Sequence, residues 1–250
     1  SDATSAQSSQ VDLIAANSTG FAYGSSSGYT NYNASGSTYA SWTFRKAPKF
    51  FDVVTWTGDN PGNSTVRDIP HNLGVAPGCI IVKRTSGAGN WLVYHRSAAA
   101  NNVLILNTTD AQQADTAFSN VNSTSFGVGY GPNISGSTYV AYLFAHDAGG
   151  FGLTGTDNVI SCGAFTADGS GNATITGLGY EPQWVLIKST DFTDGWYMLD
   201  NMRGWSLSST NYFVANTSGA EVAGSSFSNP TADGFVFNYG TGANNKTFIY

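Results

Sequence analysis

The stretch "LGVAPGCIIVKRTSGAGNW" at residues 73–91 occurs a second time, in modified form, as "LGYEPQWVLIKSTDFTDGW" at residues 178–196. The two align without a gap at an offset of 105 residues, and the aligned pairs include Leu73 with Leu178, Lys83 with Lys188, and Trp91 with Trp196. Farther along, the offset becomes 109 because the second copy has four extra residues between Arg203 and Tyr212. Solenoid units and propeller blades are shorter, about 20–50 residues, so this period indicates an independent small domain.

A second repeated sequence motif, called the repeated phrase below, indicates the domain organisation. It reads "GSTYASWTF" at 36–44 and "GSTYVAYLF" at 136–144, and it begins again as "NKTFIY" at 245–250. We therefore predict that residues 1–46 are the C-terminal part of a preceding repeat and that 47–147 are a complete repeat. Residues 148–250 are then a second repeat, truncated at its last strand. This register predicts an excerpt of a longer tandem chain, in which each repeat has its own core.

The fold class follows from short apolar runs such as "FDVVTW", "CIIVKR" and "WLVYHR", which are rich in β-branched and aromatic residues. Clusters of Gly, Asn, Ser and Pro separate these runs, and no segment keeps helical periodicity over three turns. The sequence predicts an all-β protein made of tandem antiparallel β-sandwiches of the jelly-roll kind. Trp91, Trp184 and Trp196 lie in apolar strand contexts and are predicted to be core residues.

Composition excludes several classes of partner. The net charge is −6, and the ten Lys and Arg residues are scattered, which argues against nucleic acid because phosphate binding depends on clustered basic residues. The longest apolar runs have the length of strands, so no membrane span is predicted. Cys79 and Cys162 lie in apolar runs and are interpreted as buried free thiols, with a disulfide as the alternative.

Catalytic and metal-binding patterns are weak. His71, His95 and His146 are far apart in sequence and lack metal-ligand spacing, so neither a metal site nor a cofactor is predicted. Glycoside hydrolysis needs two carboxylates about 5 to 9.5 Å apart, whereas the aspartates fall mostly in turn contexts that favour a structural role. Asp200, followed by Arg203, is interpreted as half of a structural ion pair, and the protein is predicted not to be an enzyme.

The segment after the strand that begins at the aligned tryptophan differs most between the repeats, with "HRSAAANN" in the first and "DNMRGWSLSSTN" in the second. Function resides preferentially on variable loops carried by a constant scaffold. We therefore predict that four residues of the second repeat form an exposed ligand-binding group: Asp200, Arg203, Trp205 and Asn211. Trp205 is the predicted aromatic contact for a sugar.

The segments "VLIKSTDFTDGWYMLDNMRG", "NTTDAQQADTAFSNVNSTSF" and "SGSTYVAYLFA" resemble tandem repeats in tail-fibre-like and other structural virion proteins of marine and cyanobacterial phages. The first repeat departs from this pattern in having "YHRS" in place of an aspartate followed by Arg-Gly. The resemblance implies a component of the virion surface, either a tail fibre or adhesin that attaches to a host glycan, or a capsid decoration protein. A secreted or cell-surface glycan-binding or glycan-active protein is the third reading. Implied partners are other virion proteins and further copies of this chain, as a homotrimer.

Overall fold

The structure is a computed structural model that describes residues 4–7, 14–23, 35–60, 62 and 65–250. It divides into two compact units, one formed by Ser1–Ala6 with Lys46–Tyr250 and the other by Gln7–Arg45. The smaller unit contains an antiparallel hairpin of β1 (Ile14–Asn17) and β2 (Gly20–Tyr23). The phrase at 36–44 forms no strand in the described residues.

Two sheets form the first repeat of the larger unit. The six-stranded sheet has the order β3-β11-β5-β6-β7-β8, and the three-stranded sheet has the order β4-β10-β9. These strands are β3 (Phe51–Thr57), β4 (Arg67–Pro70), β5 (Cys79–Arg84), β6 (Trp91–His95), β7 (Asn102–Ile105), β8 (Gln113–Ala114), β9 (Phe118–Ser119), β10 (Ser125–Val128) and β11 (Thr138–Phe144). All the pairings are antiparallel.

The second repeat has the same topology. Its strands are β12 (Ala164–Thr166), β13 (Asn172–Ile175), β14 (Trp184–Ser189), β15 (Trp196–Asp200), β16 (Thr210–Val214), β17 (Val222–Ser225), β18 (Ser228–Thr231), β19 (Gly234–Asn238) and β20 (Thr247–Ile249). The sheet orders β12-β20-β14-β15-β16-β17 and β13-β19-β18 match those of the first repeat strand for strand. The predicted all-β fold of tandem antiparallel sandwiches is confirmed. In the described part of the chain the only helices are short 3₁₀ turns, the longest of three residues.

Each repeat buries aromatic rings between its two sheets. In the first, Trp56 on β3 stacks on Tyr139 of β11, with ring centroids 5.3 Å apart and an interplanar angle of 13°. In the second, Phe165 on β12 stacks on Phe248 of β20 at 5.3 Å and 12°. Since Tyr139 aligns with Phe248, the aromatic residue within the repeated phrase has the same packing role in both copies.

A third apolar cluster lies between the two repeats. It contains Val93, Leu104 and Leu106 from the first repeat and Trp196 and Ile249 from the second. Side chains alternate between the faces of a strand, and these residues lie on the faces of the six-stranded sheets that are turned away from the sandwich cores. The sequence predicts that each repeat has its own core, and the structure has a separate core cluster in each. In addition, the outer faces of the two large sheets pack together, because the apolar runs have hydrophobic residues on both faces.

Two polar contacts reinforce this packing. The indole Nε1 of Trp196 donates to the backbone oxygen of Ile105 at 3.0 Å. His95 is buried, and its Nε2 lies 3.1 Å from the backbone oxygen of Tyr250. Burial lowers the pKa of His95 to about 4, and the neighbouring Arg96 acts in the same direction. His95 is therefore neutral at pH 7 and donates from Nε2 across the contact between the repeats.

We expect acid to destabilise the protein through His95. Because its folded-state pKa of about 4 lies below the reference value of 6.5, the stabilising contribution is full above pH 6.5 and is lost as the pH falls towards 4. A shift of this size corresponds to roughly 3 kcal/mol of unfolding free energy. Urea unfolding at pH 7 and pH 4.5 measures the loss, and His95→Gln, which keeps a donor but cannot be protonated in this range, should lose correspondingly less. Equal losses in both proteins would contradict the assignment.

Both cysteines are free thiols, which confirms the first of the two readings of the sequence. Cys162 is buried and Cys79 is half-buried. Burial raises the pKa of Cys79 to about 12 and that of Cys162 well above its usual value. Because the thiolate is the reactive form, neither side chain is a good nucleophile at neutral pH.

Candidate functional site

The variable loop of the second repeat begins at Asp200, the last residue of β15. The carboxylate oxygen Oδ1 of Asp200 accepts a hydrogen bond from the backbone N–H of Arg203 at 3.0 Å and so caps the 3₁₀ turn Asn201–Arg203. Gly204 ends the turn with a φ of 104°, a left-handed conformation that glycine adopts without strain. The sequence "DNMRG" therefore encodes a capped turn.

The predicted ion pair of Asp200 and Arg203 is present. Arg203 Nε donates to Asp200 Oδ2 at 2.6 Å, and a second guanidinium nitrogen donates to Glu221 Oε2 at 2.8 Å. The third nitrogen donates to the Met198 carbonyl at 3.2 Å, and the guanidinium lies 4.2 Å from the centre of the Phe213 ring. Every nitrogen of the guanidinium therefore has an acceptor within the protein.

Asn211 holds the loop from the opposite side. Its Nδ2 donates to the Arg203 carbonyl at 2.6 Å, and its Oδ1 accepts from the Gly224 amide at 3.3 Å. Three of the four predicted site residues, Asp200, Arg203 and Asn211, are thus brought together. Their polar groups bind one another and the surrounding backbone, and they act as the support of the loop.

The fourth predicted site residue does not lie on the surface, and the expectation that Trp205 is exposed is wrong. Only 1% of Trp205 is accessible, and the ring packs edge-on against Phe235 with centroids 6.2 Å apart. Its Nε1 donates to the Ser228 hydroxyl at 3.3 Å. The four extra residues of this repeat give the loop enough length to fold back over β18, so the indole fills the core of its own sandwich.

The loop presents two apolar side chains that the sequence analysis did not select. Met202 is 91% exposed and Leu207 is 81% exposed. Met202 lies in the capped turn, and Leu207 lies between Ser206 and Ser208 beyond the buried indole. For Met202 the available signal was its position directly before Arg203, because the neighbour of an inward-pointing residue in a tight turn points outward. Leu207, two residues beyond Trp205, had no such signal.

The comparison with known families gives one result. A family model described as a domain of unknown function, DUF7483, matches residues 1–250. This chain belongs to the DUF7483 family. No curated protein and no solved structure matches it. The match spans the N-terminal segment and both repeats, so the family's unit is larger than one repeat of about 105 residues.

The three histidines of this DUF7483 chain bind different partners. His71 bonds the Asn122 carbonyl at 3.1 Å, His95 lies between the repeats, and His146 accepts from the Cys162 amide at 3.2 Å. Within the residues that the structure describes, no group of three histidines, cysteines or carboxylates is placed to hold a metal ion. In the same residues, no helix is long and apolar enough to cross a membrane.

We expect Arg203→Lys to destabilise this DUF7483 chain by about 1–2 kcal/mol, because an ammonium cannot reproduce the planar fork that binds Asp200, Glu221 and Met198. Thermal and urea unfolding measure the effect. Arg67→Lys is the control, since Arg67 forms its ion pair with Asp59 on the surface. A loss no greater than that of the control would contradict a supporting role for Arg203.

Proposed function

We propose that this protein is a structural component of a virion surface, of the tail-fibre or adhesin type, and that the loop 201–209 attaches it to a host surface. The observation that carries the proposal is that some side chains of this loop hold it in place while others are exposed to solvent. Asp200, Arg203 and Asn211 fix it from beneath, while Met202 and Leu207 are among the most exposed large apolar side chains of the described residues. Exposed apolar groups held on a rigid support are typical of recognition surfaces.

The same geometry supports a non-enzymatic role. Two carboxylates, those of Asp200 and Glu221, bind Arg203 of the loop, which holds each of them in an ion pair. A glycosidase needs one carboxylate as a proton donor and a second as nucleophile or base. This arrangement engages both carboxylates in support of the loop.

Attachment tests the loop directly. We expect fluorescently labelled protein to bind cells of some strains in a panel of marine bacteria and cyanobacteria, and we expect Met202→Ser combined with Leu207→Ser to reduce that binding at least tenfold. The control is Leu153→Ser, because Leu153 is fully exposed but lies outside the loop. Binding that falls equally in the control, or in neither variant, would count against the loop as the attachment surface.

A capsid decoration protein is the second candidate. The observation that favours it is the packing of the two repeats through a shared apolar cluster, which makes them a single rigid unit for assembly. Gold-labelled antibodies against the protein, applied to particles of the phage that encodes it, distinguish the two roles. Label at the tail supports attachment, label over the capsid supports decoration, and unlabelled particles would overturn both.

A further inference from the structure

A buried lysine occupies the same position in both repeats. Lys83 on β5 is 6% exposed and Lys188 on β14 is 0% exposed, and the two align at the offset of 105 residues. Both lie on the outer face of their large sheet, which also contributes to the cluster between the repeats. Burial lowers the pKa of Lys188 to about 8, although Asp194 and Asp110 act in the opposite direction. A buried ammonium group requires acceptors for its protons.

Lys188 donates one of its hydrogen bonds to the other repeat. Its Nζ donates to the backbone oxygen of Thr109 in the first repeat at 3.0 Å and to that of Asp194 in its own repeat at 3.0 Å. The Asp194 amide also donates to the Thr109 oxygen, at 2.7 Å. One carbonyl of the first repeat is therefore held between a lysine and a backbone amide of the second.

The same arrangement of three hydrogen bonds surrounds Lys83, with the N-terminal segment in place of the first repeat. Its Nζ donates to the backbone oxygens of Thr4 and Gly89, each at 2.9 Å, and the Gly89 amide donates to the Thr4 oxygen at 2.8 Å. Thr4 precedes Thr109 by 105 residues, as Gly89 precedes Asp194. The segment "ATSAQ" at 3–7 correspondingly resembles "TTDAQ" at 108–112. Thr4–Ala6 thus occupies on the first repeat the place that Thr109–Ala111 occupies on the second.

The second repeat has its own version of this turn. "NTSGAE" at 216–221 aligns with "NTTDAQ" at 107–112 at the offset of 109 residues, which places Ser218 on Thr109. Residues 217–221 are all exposed, whereas Asp110, Ala111 and Gln112 are half-buried beside the second repeat. The chain therefore has two lysine sites that each hold a turn, and a third turn that is exposed.

We propose that the turn 217–221 docks into the Lys83 site of a second copy of this chain, where the Ser218 carbonyl takes the place of the Thr4 carbonyl. The contact uses a turn on one side and a lysine on the other, and repetition of such a heterologous contact joins copies head to tail in a ring or a filament. The inference rests on the two lysine contacts and does not depend on the proposed attachment function.

The existing contact between the repeats explains why a whole repeat would displace a short segment. Trp196, beside Lys188, is only 2% exposed because it packs against Leu104 and Leu106 of the first repeat. The equivalent Trp91, beside Lys83, is half-buried, and the described residues 4–7 are themselves exposed. A docking repeat would cover Trp91 with apolar side chains as well as supply the carbonyl, and the added apolar burial favours it over the segment.

Sedimentation velocity over a range of concentrations tests the proposal with the full chain. We expect concentration-dependent association. Lys83→Met in the docking site and Ala220→Arg in the turn should each weaken it at least tenfold. Lys49→Met and Ser170→Arg are the controls, because these exposed residues lie outside both elements and outside the loop 201–209.

Several outcomes would overturn the proposal. The first is a chain that stays monomeric up to about 100 µM, because a contact of ordinary micromolar affinity would be formed at that concentration. The second is association that survives both Lys83→Met and Ala220→Arg. Far-UV circular dichroism establishes whether the Lys83→Met chain is folded. If it is not, Ala220→Arg decides the matter, since the turn is exposed.

Discussion

Trp205→Ala should lower the free energy of unfolding by about 3–5 kcal/mol, the range observed when a buried aromatic side chain is truncated in a protein core. The indole is 1% exposed, contacts Phe235 and donates to Ser228. Its removal leaves a cavity in the sandwich core beside Phe235, and the Ser228 hydroxyl loses the hydrogen bond that the indole donates. Because the loop is tied to this anchor, its outer surface should also become mobile. Urea unfolding monitored by far-UV circular dichroism measures the loss.

The matched control is Met202→Ala in the same loop. Met202 is 91% exposed, and truncation of an exposed side chain changes stability by no more than about 0.5 kcal/mol. The two variants distinguish residues that stabilise the loop from residues that contact the host surface. Trp205→Ala should reduce stability, whereas Met202→Ala should reduce attachment to cells. If Trp205→Ala retained full stability and lost only binding, Trp205 would be a surface contact in solution, as its position in the variable loop had indicated.

Much of the fold could be predicted because the two repeats constrain each other. The gapless alignment of 73–91 with 178–196 assigns β5 and β14 to equivalent places, and the structure has them in the same position of matching sheets. The alignment of Tyr139 with Phe248 likewise corresponds to two aromatic stacks of the same geometry. A register supported by many aligned residues is reliable, since one set of side-chain volumes requires one kind of packing.

The candidate site was predicted less well, because the contacts that define it join residues distant in sequence. The pairing of Asp200 with Arg203 is local and was found from a spacing of three residues. The contacts of Arg203 with Glu221 and of Trp205 with Ser228 depend on how the loop folds over β18 and could not be read from its composition. The number of apolar side chains in a loop does not tell which of them points inward.

The contact between the repeats had a signal that the sequence analysis did not use. A strand with one solvated face alternates apolar and polar residues, whereas "CIIV" in β5 and "WVLI" in β14 are continuously apolar. Continuous runs are typical of strands that are covered on both faces. Ile80 accordingly points into the sandwich core, while Ile81 packs in the cluster between the repeats.

Trp196→Ala should therefore destabilise the protein by about 3–5 kcal/mol and should also uncouple the repeats. The indole provides the largest side chain of the cluster between the sheets, and its Nε1 donates to Ile105 in the first repeat. The two repeats have separate sandwich cores, so loss of this contact should divide one cooperative calorimetric transition into two. Trp91→Ala is the comparison, because Trp91 has the equivalent place but is only half-buried, and its truncation should cost less and leave a single transition. Unfolding of the Trp196→Ala chain in one transition, with a loss no larger than that of Trp91→Ala, would show that the repeats are held together by other contacts.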